Sequence, residues 1–64
     1  MNPADKRLLR SAARQLRKDA EELRDSFTAP DGTWPLDVLG TAKARRDHDL
    51  RIRTARKFEE LAAR

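Results

Sequence analysis

Leucine and alanine recur at alternating spacings of four and three residues along the first half of this chain. The positions are Leu9, Ala13, Leu16, Ala20, Leu23 and Phe27. This heptad spacing places one apolar seam along an α-helix, with leucine at one core position and mostly alanine at the other. Asn2 can cap such a helix, and Pro3 suits its first turn. We therefore expect a first helix over about residues 3–27.

A turn separates this helix from a second one. Pro30, Asp31 and Gly32 form a strong turn signal, because proline presets φ and glycine accepts the positive φ of tight turns. We expect the connection at about residues 28–34 and a second helix over about residues 35–63, with Pro35 in its first turn. So short a connection makes the helices antiparallel neighbours. The predicted fold class is all-α, a single antiparallel two-helix hairpin.

The second helix has a less regular seam than the first. Its best pattern at spacings of four and three is Gly40, Ala44, Asp47, Arg51, Thr54, Phe58 and Leu61. Only the C-terminal half of this seam, with Phe58 and Leu61, is apolar. A chain of 64 residues without cysteine buries little surface alone and has no disulfide to stabilise it. Two hairpins packed as a four-helix bundle would bury both seams, so we expect a homodimer.

Positive charge is concentrated at the start of the first helix. The stripe is formed by Lys6, Arg7, Arg10, Arg14, Arg17 and Lys18. At about 100° per residue these six side chains share a sector of about 120°, which we expect opposite the apolar seam. It could be a solvated face, a dock for an acidic protein surface or a contact for nucleic acid phosphates. Nucleic acid is the second choice, because the stripe has no interleaved aromatic residue for base stacking.

The charge order along the first helix is unfavourable for an isolated helix. Its second half is acidic, with Asp19, Glu21, Glu22 and Asp25. Basic residues at the start and acidic ones at the end oppose the helix dipole. In an antiparallel hairpin the acidic end would lie beside Lys43, Arg45 and Arg46, and the basic start would lie near Glu59 and Glu60. Arg45 and Arg46 are further candidates for partner contact.

Two other features have both a structural and a functional interpretation. Trp34 can close the open end of the helices together with Phe27, or it can protrude as a binding hot spot, since tryptophan and arginine dominate interface energetics. Asp47 and Arg51 are four residues apart on the second seam, so we expect them to pair and to fix helix register or partner choice.

The sequence offers little for chemistry. It has one histidine, no cysteine and no glycine-rich phosphate loop, so we expect no catalytic residues, metal, cofactor or small-molecule substrate. No apolar run approaches the ~20 residues of a membrane span, and the start has no signal-peptide core, so we expect a cytoplasmic protein without membrane contact. The sequence therefore predicts a small non-enzymatic protein that binds another macromolecule, with a protein partner favoured.

Overall fold

The computed structural model describes residues 1–35 and 37–64. The chain forms two α-helices, α1 (Pro3–Phe27) and α2 (Thr41–Ala63), and no strand occurs in these two ranges. Arg10 near the start of α1 contacts Ala62 near the end of α2, so the helices run antiparallel. The molecule is a rod of 46 × 16 × 15 Å. The predicted all-α helical hairpin is confirmed.

Local chemistry determines both ends of α1. The Asn2 side chain accepts a hydrogen bond from the Asp5 backbone N–H at 2.8 Å, which satisfies one of the N–H groups left free in the first helical turn. Pro3 occupies the start of the helix, where its missing N–H has no consequence. At the other end, the Thr28 N–H donates to the Arg24 carbonyl oxygen at 2.9 Å.

The connection between the helices covers residues 28–40 and is longer than the expected 28–34. Its first half is the predicted turn, in which Gly32 has a φ of 86° and the Asp31 carboxylate accepts hydrogen bonds from the Thr33 N–H and hydroxyl at 3.0 and 2.7 Å. Helix α2 then begins at Thr41 instead of about residue 35. Gly40 has a φ of 85°, which is not a helical conformation, so a helix begun at Pro35 could not continue through it.

The contact between α1 and α2 consists of small side chains. Ala13 and Ala20 of α1 and Ala55 and Ala62 of α2 are at most 1% exposed, and each pair is spaced by one heptad. Thr41 and Ala44 complete the buried set. Such small side chains let two helices pack with their backbones close together.

Of the predicted α2 seam, Ala44 is buried as expected, whereas the rest of the α2 contact is centred on other residues. Gly40 lies outside the helix as its N-cap, and Asp47, Arg51, Thr54, Phe58 and Leu61 are only half-buried. Thr54 and Leu61 each precede by one residue the alanine that is buried instead. The physical reason is that alanine rows on both helices allow closer packing than a row of mixed large and polar side chains.

Candidate interaction surfaces

The buried alanines divide the hairpin into two flanks. One flank of the α1 alanines carries Leu9, Leu16 and Leu23, each four residues before or three residues after Ala13 or Ala20. The other flank carries Arg10 and Arg17, each three residues before or four residues after one of these alanines. At 100° per residue these sets fall on opposite sides of the alanine row. The corresponding flanks of α2 carry Phe58 and Glu59. One side of the rod is thus apolar and the other is rich in arginine.

The apolar side, here called the leucine face, is incompletely covered. It consists of Leu9, Leu16, Leu23, Phe58 and Leu61, all half-buried. No leucine, isoleucine or phenylalanine within residues 1–35 and 37–64 is fully buried. The hairpin exposes 4923 Å², whereas a folded monomer of 7.4 kDa is expected to expose about 4,200 Å². The leucine face is therefore partly open to solvent in the single hairpin.

The opposite side, here called the arginine edge, holds the two helices together. Arg17 donates two hydrogen bonds to the Glu59 carboxylate, from Nε at 3.0 Å and from Nη2 at 2.6 Å, which is the bidentate geometry that arginine favours. The Arg17 guanidinium lowers the pKa of Glu59, chiefly through these hydrogen bonds. Arg10 Nη2 lies 3.4 Å from the Ala62 carbonyl oxygen at the end of α2.

These contacts correct the predicted basic stripe. Arg10 and Arg17 do not lie opposite the packing face but beside it, because α2 packs on the alanine row and not on the leucine row. Lys6 and Arg17 are half-buried. Arg10 is exposed, although its Nη2 lies near the Ala62 carbonyl oxygen. The other predicted partner-contact cations that stay on the open surface are Arg7, Arg14 and Lys18 on α1 and Arg45 and Arg46 on α2.

The acidic second half of α1 forms no ion pair with any residue in the ranges 1–35 and 37–64. In the described part of the chain, the ion pairs within 4 Å are Arg17–Glu59 and a His48–Asp49 contact between neighbours. Asp19 accepts a hydrogen bond from the Gln15 side chain at 3.0 Å. The expected pairing of this acidic stretch with Lys43, Arg45 and Arg46 is therefore not formed.

The turn end of the rod is partly closed by aromatic side chains. Trp34 is half-buried, and its ring packs against His48 at a centroid distance of 5.3 Å and a tilt of 57°. Phe27 is half-buried beside Gly40. Beyond them Val38 is 52% exposed and Leu39 is 98% exposed. Trp34 contacts α2, and among the described residues at this end Val38 and Leu39 protrude.

The expected pairing of Asp47 with Arg51 takes a different form. Arg51 Nη1 donates to the Asp47 backbone carbonyl oxygen at 3.3 Å, and the two side chains form no ion pair. The side-chain ion pair that joins the two helices in the described part of the chain is Arg17 with Glu59. The sequence predicts Glu59 near the basic start of α1, but it does not predict which cation Glu59 pairs with. A bidentate pair with Arg17 forms only at one particular rotation of the two helices, which the sequence does not reveal.

Within the described ranges, no cluster of three histidine or acidic side chains could hold a metal ion. Neither helix is apolar over a stretch long enough to cross a membrane. The chain matches no family model, no curated protein and no solved structure. Any functional inference therefore rests on the two surfaces described above.

Proposed function

We propose that the chain is a small non-enzymatic binding protein that works as a homodimeric helical hairpin and contacts another protein. The observation that carries the proposal is the uncovered leucine face. The large apolar side chains of this face, which supply most of the burial energy of a helical protein, flank the contact between α1 and α2 and keep part of their surface open to solvent. A second copy that covers them completes a four-helix bundle.

The dimensions of the rod fit this proposal. A face 46 Å long and 16 Å wide offers on the order of 700 Å² per copy, close to the ~800 Å² per partner of a standard protein interface. The surface in excess of a typical monomer of this mass is of the same size. Covering one face would bring the exposed surface per chain into the usual range.

Replacement of Leu16 by aspartate tests the homodimer. Leu16 lies at the centre of the leucine face, so Leu16→Asp would bury an unpaired carboxylate in the dimer. We expect the wild type to sediment as a dimer at micromolar concentration, and Leu16→Asp to lose both the dimer and much of its helicity.

The matched control is Ser11→Asp, which introduces the same side chain at an exposed position of α1 and should leave both properties nearly unchanged. A wild-type chain that stays monomeric and fully helical on dilution contradicts the homodimer.

The cations left exposed on α1 support an acidic protein surface as the further partner. Arg7, Arg14 and Lys18 are not engaged with α2, and a positive patch mainly accelerates association with an acidic partner. A variant with all three changed to glutamine should keep its helicity at concentrations that saturate the dimer and should recover less acidic protein in an affinity pull-down. Two results together would favour nucleic acid instead. The chain would bind duplex DNA, with a slope of log affinity against log salt concentration that is smaller by nearly three in this variant, and no acidic protein would be recovered.

A further inference from the structure

An exposed row of side chains runs along the side of α2 that faces away from α1. At alternating spacings of three and four residues this row, here called the α2 row, contains Lys43, Arg46, Leu50, Arg53 and Lys57. At 100° per residue the five positions share a sector of about 80°, and its middle lies about 160° from the buried Ala55. All five side chains are exposed, and Leu50 keeps 54% of its surface open to solvent. The α2 row thus consists of four cations around one apolar side chain.

The spacing of the α2 row is the one with which a helix receives a second helix. Two shallow hollows lie along it. The first hollow is lined by Arg46, Asp47, Asp49, Leu50 and Arg53. The second is lined by Leu50, Arg53, Thr54 and Lys57. Each contains four residues at positions i, i+3, i+4 and i+7, the arrangement that accepts one side chain of a facing helix in knobs-into-holes packing. The two hollows lie about one helical turn apart and share Leu50.

The exposed positive charge of the hairpin is concentrated on α2. The exposed side chains of α2 include six Lys and Arg against two Asp and Glu, whereas those of α1 include five against four. The two exposed acids of α2, Asp49 and Glu60, lie to one side of the α2 row. In the ranges 1–35 and 37–64 none of the four cations of the row forms an ion pair. Their charge is therefore available to a partner.

We infer that the α2 row docks an acidic α-helix of the partner protein, with two apolar side chains about four residues apart seated in the two hollows. The inference rests on the proposed protein partner and specifies its contact surface as helical. Carboxylates on the docked helix face the four cations of the row. Such charge complementarity selects a partner and accelerates its association, while the contact with Leu50 buries apolar surface.

Leu50 favours a protein helix over nucleic acid as the occupant of the α2 row. A phosphate backbone interacts with the cations alone and offers an exposed leucine no apolar contact. An amphipathic acidic helix offers carboxylates and an apolar stripe on the same surface, which is the combination that the row presents in complementary form.

The α2 row is separate from the leucine face. Its middle lies about 100° round α2 from Phe58, so a second copy that covers the leucine face leaves the row open. Partner binding and self-association thus use different surfaces of the hairpin and can be measured independently.

A designed helical peptide tests the α2 row. The peptide has about 20 residues, because shorter isolated helices are marginal in water, and carries two leucines four residues apart among glutamates and alanines. We expect fluorescence anisotropy to show binding that weakens with added salt. Leu50→Ala should weaken this binding by roughly tenfold, because less apolar surface is buried. Arg53→Gln combined with Lys57→Gln should also weaken it and reduce its dependence on salt.

The matched control variant is Leu8→Ala. Leu8 is 68% exposed on α1 and lies outside the α2 row, so this variant should bind the peptide as the wild type does. A control peptide of the same composition has its two leucines two residues apart, where they do not share a helix face. It should bind severalfold more weakly than the first peptide.

Equal binding of the two peptides, or equal binding by Leu50→Ala and the wild type, would overturn the inference, because charge alone would then explain the contact. Tighter binding to duplex DNA, unchanged by Leu50→Ala, would overturn it in favour of phosphates. Loss of self-association in Leu50→Ala would overturn it by assigning the α2 row to the second copy. A chain that still sediments as a dimer but does not bind the peptide overturns this inference alone, whereas a monomeric chain that binds the peptide overturns only the homodimer.

Discussion

Alanine, and not leucine, lies at the centre of the contact between the two helices. Ala13, Ala20, Ala55 and Ala62 are buried, while the leucines beside them keep part of their surface exposed. Periodicity predicted one apolar stripe that contains both residue types. It could not indicate which row faces the second helix, because the alanine and leucine rows of α1 lie within about 80° of each other. The choice depends on the rotation of both helices together.

Enlarging a buried alanine should therefore destabilise the hairpin more than enlarging an exposed one. We expect Ala20→Leu to lower the free energy of unfolding by roughly 1–3 kcal/mol, because the added carbons must separate two closely packed helices. Ala42→Leu, at an exposed position of α2, is the control and should change it little. Urea titrations followed by circular dichroism measure both. Equal stability of the two variants would show that Ala20 is not at the helix contact.

The connection is where the helical elements depart most from the sequence-based expectation. The Pro-Asp-Gly turn was recognisable, since each of its residues has a definite conformational preference. The start of α2 was not, because Pro35 suits both a first helical turn and a bend outside a helix. The positive φ of Gly40 decides between them. A glycine accepts either sign of φ, so the sequence alone does not reveal this conformation.

A substitution at Gly40 tests the role of this conformation. A Cβ atom at Gly40 would have ordinary contact with Phe27 Cε1 at 3.9 Å, so the cost of Gly40→Ala is one of backbone and not of space. We expect a loss of about 1–2 kcal/mol in the free energy of unfolding, as for an L-residue at positive φ. A synthetic chain with D-alanine at this position should be at least as stable as the wild type. Equal melting temperatures of the L- and D-alanine chains would contradict the assigned conformation.

The hairpin as a whole is stabilised by a small alanine core and by a few hydrogen bonds to carboxylates. Because carboxylates lose their charge at low pH, the stability of the hairpin depends on pH. Arg17 lowers the pKa of Glu59, and hydrogen bonds from Thr33 lower that of Asp31. A carboxyl whose pKa is lower in the folded than in the unfolded chain stabilises the fold above its unfolded pKa. That contribution is lost as the pH falls through the lower, folded value.

We therefore expect the melting temperature to fall as the pH is lowered through the acidic carboxyl range, below about pH 4. Glu59→Gln should reduce the melting temperature at neutral pH and show a weaker dependence on pH across this range. Glu60→Gln, at the exposed neighbouring residue, is the control and should follow the wild-type curve. Thermal melts at a series of pH values test the expectation, which an unchanged pH dependence in Glu59→Gln would contradict.

The half of the rod that holds both termini, residues 1–18 and 53–64, carries ten Lys and Arg against three Asp and Glu, whereas residues 19–52 carry five against eight. Because this terminal half has a formal charge of +7 and the other half one of −3, the single hairpin has a permanent electric dipole moment along its long axis. A negatively charged surface would turn such a rod so that its terminal half approaches first. An applied electric field would orient the rod in the same way, and transient electric birefringence of the dilute protein would measure that orientation.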